Sequence, residues 1–166
     1  MDKLLTFIRQ FTTHKLVDVT DVQKVGREYY LTPPAMRALA RRIGHRPIIA
    51  GTLLGIEQGD SIKPSLTLLD MLVASNAKRV VVNEKAEWLT ICGRPPMFSS
   101  IVEKEGDPKP GELVLILNKQ KECLGYGKVG DEKGRKGPII HLYYDIGDFL
   151  RRERNTRARP MAHRRR

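Results

Sequence analysis

The 166-residue chain is poor in the residues that most often do chemistry. It has two cysteines, Cys92 and Cys123, far apart and outside any metal spacing. That excludes a disulfide scaffold and points to buried thiols in a reducing compartment. Its four histidines (His14, His45, His141, His163) stand in unrelated contexts, so neither a metal site nor a cofactor is expected. No Ser-His-Asp order, nucleophile elbow or P-loop lysine occurs, so no catalytic residue is expected and the chain reads as a non-enzyme. No apolar run approaches the ~20 residues that cross a bilayer. The opening MDKLLTFIRQ lacks the apolar stretch of a signal peptide, and a soluble, cytoplasmic protein is expected.

What the chain does have is arginine, gathered at one end. Residues 151–166 hold eight arginines and one acid, +7 of the total +11. Residues 1–77 carry ten bases against seven acids, and residues 78–150 twelve against eleven. The body is therefore nearly neutral. Arginine grips phosphate in a bidentate fork and stacks on bases, whereas lysine offers a point charge. A nucleic-acid ligand is expected, RNA before DNA. The bland alternative is a solvated tail that keeps the protein soluble.

The pattern predicts two regions. In the first, Leu4, Leu5, Phe7, Ile8 and Phe11 share a helical face. Residues 16–31 read as a hairpin turning at Gly26-Arg27. Thr32 and Pro33-Pro34 start a helix that buries Met36, Leu39, Ala40 and Ile43 and ends at Gly44. Residues 48–58 form strand, Gly59-Asp60 turns, and Leu66–Ala74 is an apolar helix with Asn76 as its cap. After a boundary near residue 76 come short strands at 79–83, 87–91, 113–117, 123–129 and 139–144, as in a small barrel. A last helix from Asp145 to about Arg154 is capped by Asp145 and anchored by Ile146, Phe149 and Leu150, with Arg151 and Arg152 pointing into water.

Single motifs weigh little. Gly125-Tyr126-Gly127-Lys128-Val129-Gly130 fits G-x-G-x-x-G, but the polar, glycine-rich stretch after it cannot open a buried helix, so close backbone approach in a strand is the expected role. Asp18 and Asp21 read as a solvated pair rather than a catalytic dyad. Arg37, Arg41 and Arg42 make a basic helix face that an anionic partner would relieve. Trp88 is assigned to a short strand and the core.

The second half resembles a PUA domain, a small RNA-binding pseudo-barrel. Asn83 at the end of the opening strand, Gly111-Glu112-Leu113-Val114, Gly125-Tyr126-Gly127 and the return strand before a terminal helix carry the likeness. Along nearly its whole length the chain resembles the Nip-seven family of ribosome-biogenesis factors, archaeal type. Tyr29-Tyr30-Leu31, Met36-Arg37-Ala38-Leu39-Ala40, Leu53-Leu54-Gly55, Leu69-Asp70-Met71-Leu72 and above all Tyr144-Asp145-Ile146-Gly147-Asp148-Phe149-Leu150-Arg151-Arg152-Glu153 carry this one.

The resemblance implies an α+β protein. An N-terminal α/β domain (1–76) packs on a PUA domain (77–154), and a basic tail (155–166) follows. It implies a non-catalytic role in pre-rRNA processing and large-subunit assembly, nucleolar or nuclear in eukaryotic relatives. Single-stranded, uridine-rich RNA and assembly or exosome proteins are the implied partners of a monomer. The implied RNA contacts are Arg151 and Arg152, supported by Arg154 and Arg157, then Lys78 and Arg79, with Arg94 a further candidate. Two other classes stay open, an accessory module of an RNA-modifying enzyme and a protein–protein adaptor. Salt dependence separates RNA binding from the adaptor.

Overall fold

The computed structural model describes residues 2–43, 51–130, 140–148 and 151. The N-terminal half opens with α1 (Asp2–Arg9), which buries Leu4, Phe7 and Ile8. Strands β1 (Val22–Val25), β2 (Glu28–Leu31), β3 (Thr52–Gln58) and β4 (Ser61–Pro64) form one antiparallel sheet in the order of the chain. The turns at Gly26 and Gly59 require positive φ, which glycine adopts without steric cost. Helix α2 (Pro34–Arg42) lies between β2 and β3, and α3 (Leu66–Ala74) follows β4. Ser65 caps α3 by accepting the Leu68 N–H, and Asn76 closes it in the left-handed conformation at φ 57°.

The C-terminal half holds β5 (Arg79–Val82), α4 (Glu84–Ile91), β6 (Ile101–Glu105), β7 (Leu113–Leu117), β8 (Cys123–Val129) and β9 (Ile140–Asp145). The sheet order is β6-β5-β7-β8-β9, with β5 and β7 parallel and the other pairs antiparallel. Strand β7 reads LVLIL, and all five residues are buried. Period-two geometry divides them between two cores. Val114 and Ile116 join Val80, Val82, Ala86, Leu124 and Ile140 in one cluster. Leu113, Leu115 and Leu117 join Tyr126 in the other, with Leu4 and Phe7 from α1, Phe11 just after it, and Leu68, Leu69 and Leu72 from α3. The N-terminal half thus covers the outer face of the C-terminal sheet.

The two glycines of the G-x-G-x-x-G sequence lie inside β8, as expected. A Cβ on Gly125 would collide with the Tyr144 carbonyl oxygen, and one on Gly127 with that of His141. Both oxygens belong to β9, so side chains here would pry the strands apart.

Several expectations need correction. The first hairpin begins at Val22, because Val19–Asp21 is a 3-10 turn and Val17 is buried ahead of it. Helix α2 has no buried residue. Met36, Leu39 and Ile43 lie exposed, and Pro33 rather than the buried Thr32 occupies the cap position. Gly44 and residues 48–50 lie outside the described residues, as do Phe149 and Leu150. Residues 87–91 are not a strand. They belong to α4, whose N-terminus Asn83 caps by accepting the Ala86 N–H, with Glu84 and Glu87 in the favoured first turn. Trp88 is 67% exposed on that helix rather than in the core. Strand β6 was not anticipated. Cys92 is exposed, whereas Cys123 is partly buried and its thiol is pushed up to about 12, chiefly by desolvation.

Two outcomes follow. Because one core joins both halves, chemical denaturation of the full chain shows a single transition, and Leu115→Ala lowers its free energy by about 2–5 kcal/mol; two separate transitions contradict the shared core. Glu57, on β3, takes hydrogen bonds from Lys24 at 2.7 Å and from the Tyr29 hydroxyl. The Lys24 bond, then the Tyr29 bond, lowers its pKa from 4.5 to about 2. A depressed carboxylate stabilises the fold above its unfolded pKa, and the contribution fades as pH falls from 4.5 through about 2. Unfolding measured across that window is therefore less pH-dependent in Glu57→Gln than in the wild type.

Candidate RNA interface

Burial on the outer face of β8 builds one wall of a concavity. The Tyr126 ring packs edge-on against Phe7 of α1 and Phe11 just after that helix, both at 5.5 Å between centroids. On its other flank it meets Tyr144 at 6.2 Å, nearly parallel, and Tyr143 at 6.3 Å, edge-on. Tyr143 is the most open of them, at 58% exposure, and Tyr144 is partly buried. Burial, then the neighbouring Tyr144 and Tyr143, pushes the Tyr126 hydroxyl up to about 12, so it stays neutral.

These rings form one wall of a cleft of about 500 Å3 at the seam between the halves. The opposite wall is β4 and the end of β3, with Gln58, Ser61, Ile62 and Lys63. Asp145, Asp148 and Arg151 line its end. Lys63 lies 5.6 Å from the Tyr144 ring centre and 3.0 Å from an Asp148 carboxylate oxygen. The Tyr143 ring at the rim, Lys63 over the adjoining Tyr144 ring and amide and hydroxyl groups opposite suit an unpaired base with its phosphate.

The arginines expected to face water do something else at the first position. The chain turns helical at Gly147, and Arg151 folds back over that turn. Its Nη1 donates to the Ile91 carbonyl at 2.8 Å and its Nη2 to the Asp145 carboxylate at 2.8 Å. Asp145 is 5% exposed, so this ion pair is partly shielded from solvent. The expectation that Arg151 points away from the body is therefore corrected. The guanidinium satisfies the carbonyl ending α4 and clamps the terminal turn to the barrel. Asp145 closes β9, and among the described residues its partner is Arg151 rather than a helix N–H. Arg152, Arg154 and Arg157 lie outside the described residues.

Lys78 and Arg79 are also engaged internally. Lys78 donates to Glu112 at 2.6 Å, which lowers the pKa of that carboxyl. Arg79 donates to the Val73 carbonyl at 2.9 Å and to Asn76 at 3.2 Å, and its Nε lies 2.7 Å from Glu105. It joins the end of α3 to β5. The structure thus brings Arg151 to the cleft and leaves Lys78 and Arg79 as struts elsewhere. Sequence reasoning missed Tyr143, Tyr144, Tyr126 and Lys63 as a group. The Tyr143-Tyr144 pair ahead of the terminal helix was the available signal, but its pairing with β4 is tertiary. Among the described residues no three His, Cys, Asp or Glu come together as metal ligands.

The clamp has a measurable weight. Arg151→Ala strands a buried carboxylate and lowers stability by about 1–3 kcal/mol, read from the denaturant midpoint. Arg151→Lys recovers part of it, because one ammonium cannot reproduce the fork. An unchanged midpoint in the alanine variant contradicts the clamp.

Comparison with known proteins agrees with this architecture. Residues 78–154 match the family model for the UPF0113 PUA domain. No curated protein matches the chain. Among solved structures, a PUA-domain protein of Aeropyrum pernix superposes with a TM-score of 0.60 at 18% identity, over 90% of this chain and 83% of that one. A hypothetical protein of Pyrococcus horikoshii gives 0.58 at 18% identity, over 90% and 93%. A PUA-domain protein of Thermoplasma acidophilum gives 0.55 at 16% identity, over 92% of each. The chain therefore has the mixed α+β fold seen in these PUA-domain proteins, and residues 78–154 are similar to the PUA domain.

Proposed function

We propose that the protein is a non-catalytic RNA-binding factor in ribosome biogenesis, acting in pre-rRNA processing and large-subunit assembly as the resemblance to the Nip-seven family implies. The observation that supports it most is the seam cleft, which offers a half-exposed tyrosine ring and a lysine at the point where the arginine-rich end leaves the PUA domain. PUA domains generally bind RNA. Tyr143 stacks on one unpaired base, Lys63 meets its phosphate, and Arg152, Arg154 and Arg157 extend the phosphate contacts. Arg151 takes part by holding the start of that arginine run at the cleft. Lys78 and Arg79 support the frame. Cytoplasmic location, a monomeric state, and assembly or exosome proteins as partners belong to the same reading.

Affinity for uridine-rich single-stranded RNA tests it. Tyr143→Ala weakens binding by about 5- to 150-fold, the range for one lost base stack, and leaves the dependence on salt unchanged. Removing residues 157–166 reduces the slope of log affinity against log salt by roughly 0.7 per lost phosphate contact. Wild-type affinity in Tyr143→Ala, with all salt dependence carried by the tail, reduces the protein to a polycation and overturns the cleft. Failure of the protein to co-sediment with large-subunit precursors overturns the ribosomal assignment.

A further inference from the structure

A second concavity lies on the N-terminal half. It is a groove of about 270 Å3 between α1 and the segment that follows it, walled by Leu5, Ile8, Leu16, Val17 and Val19. Arg9, His14 and Lys15 stand around it. Val19 is 44% exposed although nothing polar in its side chain favours water. Its 3-10 turn is tied to α2 through Asp21 and Arg37 at 3.0 Å. That helix exposes Met36, Leu39 and Ile43 together with Arg41 and Arg42.

The chemistry differs from that of the seam cleft. The groove walls are mostly aliphatic, with no tyrosine, tryptophan or phenylalanine on which a base could stack; the one ring in its lining is the His14 imidazole. Exposed apolar surface of this kind marks a protein contact. Its surroundings are basic. Residues 9–43 carry seven bases and three acids, a surplus of +4 that remains after Lys15 is matched by Asp18 at 2.9 Å and Arg37 by Asp21. A second copy of a chain with net charge +11 is repelled from such a face.

We propose that this groove is a docking site for an acidic, apolar-faced segment of another protein. Aliphatic side chains of the segment fill the groove, and its carboxylates meet Arg9, Lys15 and the arginines of α2. The site is separate from the RNA cleft, so the protein joins an RNA through one half to a protein through the other.

The test uses the full chain and a synthetic helical peptide with leucine at i, i+3, i+4 and i+7 and glutamate at the other positions. A lysine-for-glutamate version is the control. The glutamate peptide binds with a dissociation constant on the order of 10–100 µM, as a transient contact would. Val19→Asp weakens it at least about tenfold, and Arg9→Glu weakens it while strengthening the lysine version. Both variants keep the affinity of the wild type for uridine-rich RNA, which separates this site from the RNA reading. The proposal is overturned by no binding up to about 1 mM, by equal binding of both peptides, or by insensitivity to either substitution. Displacement of the peptide by RNA, or a concentration-dependent dimer abolished by Val19→Asp, overturns it equally.

Discussion

The two-sided burial of β7 and β8 is the constraint from which the rest follows. A five-stranded sheet with one apolar core could leave its outer face polar and stand alone. Here the outer residues Leu113, Leu115, Leu117 and Tyr126 are as buried as the inner ones. They need a cover, and α1 and α3 supply it. Placing that cover brings β4 alongside β9, and the seam cleft is the space left between them. Tyr126 marks the junction, since the same ring touches α1 below and the two tyrosines of β9 beside it. The cleft therefore belongs to neither half.

Charge divides into structural and exposed roles along the same lines. Arg79, Lys78 and Arg151 each neutralise an acid or end a helix, and each sits where two elements meet. Arginine suits such junctions because its fork bridges two acceptors at once. Arg151 connects the end of α4 with the end of β9, so it sets the direction in which the chain leaves the domain. The surplus of positive charge then lies beyond it, in a run of arginines.

Much of the frame could be read from the sequence where local signals and burial agree. Leu66–Ala74 is a largely apolar helix with a serine cap, LVLIL is continuous because both faces are covered, and Gly125 and Gly127 mark strands in close approach. The errors arose where tertiary context decides. Met36, Leu39 and Ile43 have the spacing of a buried face, yet among the described residues nothing buries them and α2 stays exposed. Residues 87–91 contain Trp88, Thr90 and Ile91, which favour strands, and α4 buries little besides Ala86 and Thr90, so periodicity was faint. The Asn83 cap with Glu84 and Glu87 was the stronger local signal. At the site, the arginine-rich end was visible as composition. The inward turn of Arg151 was not, because its partners Ile91 and Asp145 are set by the fold.

The central claim is that RNA is held at the seam and not merely attracted by the tail. The most direct measurement crosslinks the full chain to a uridine-rich oligonucleotide carrying 4-thiouridine and identifies the attached residue by mass spectrometry. The account predicts attachment at Tyr143 or Tyr144, with Lys63 next. Crosslinks confined to residues 152–166 would contradict it.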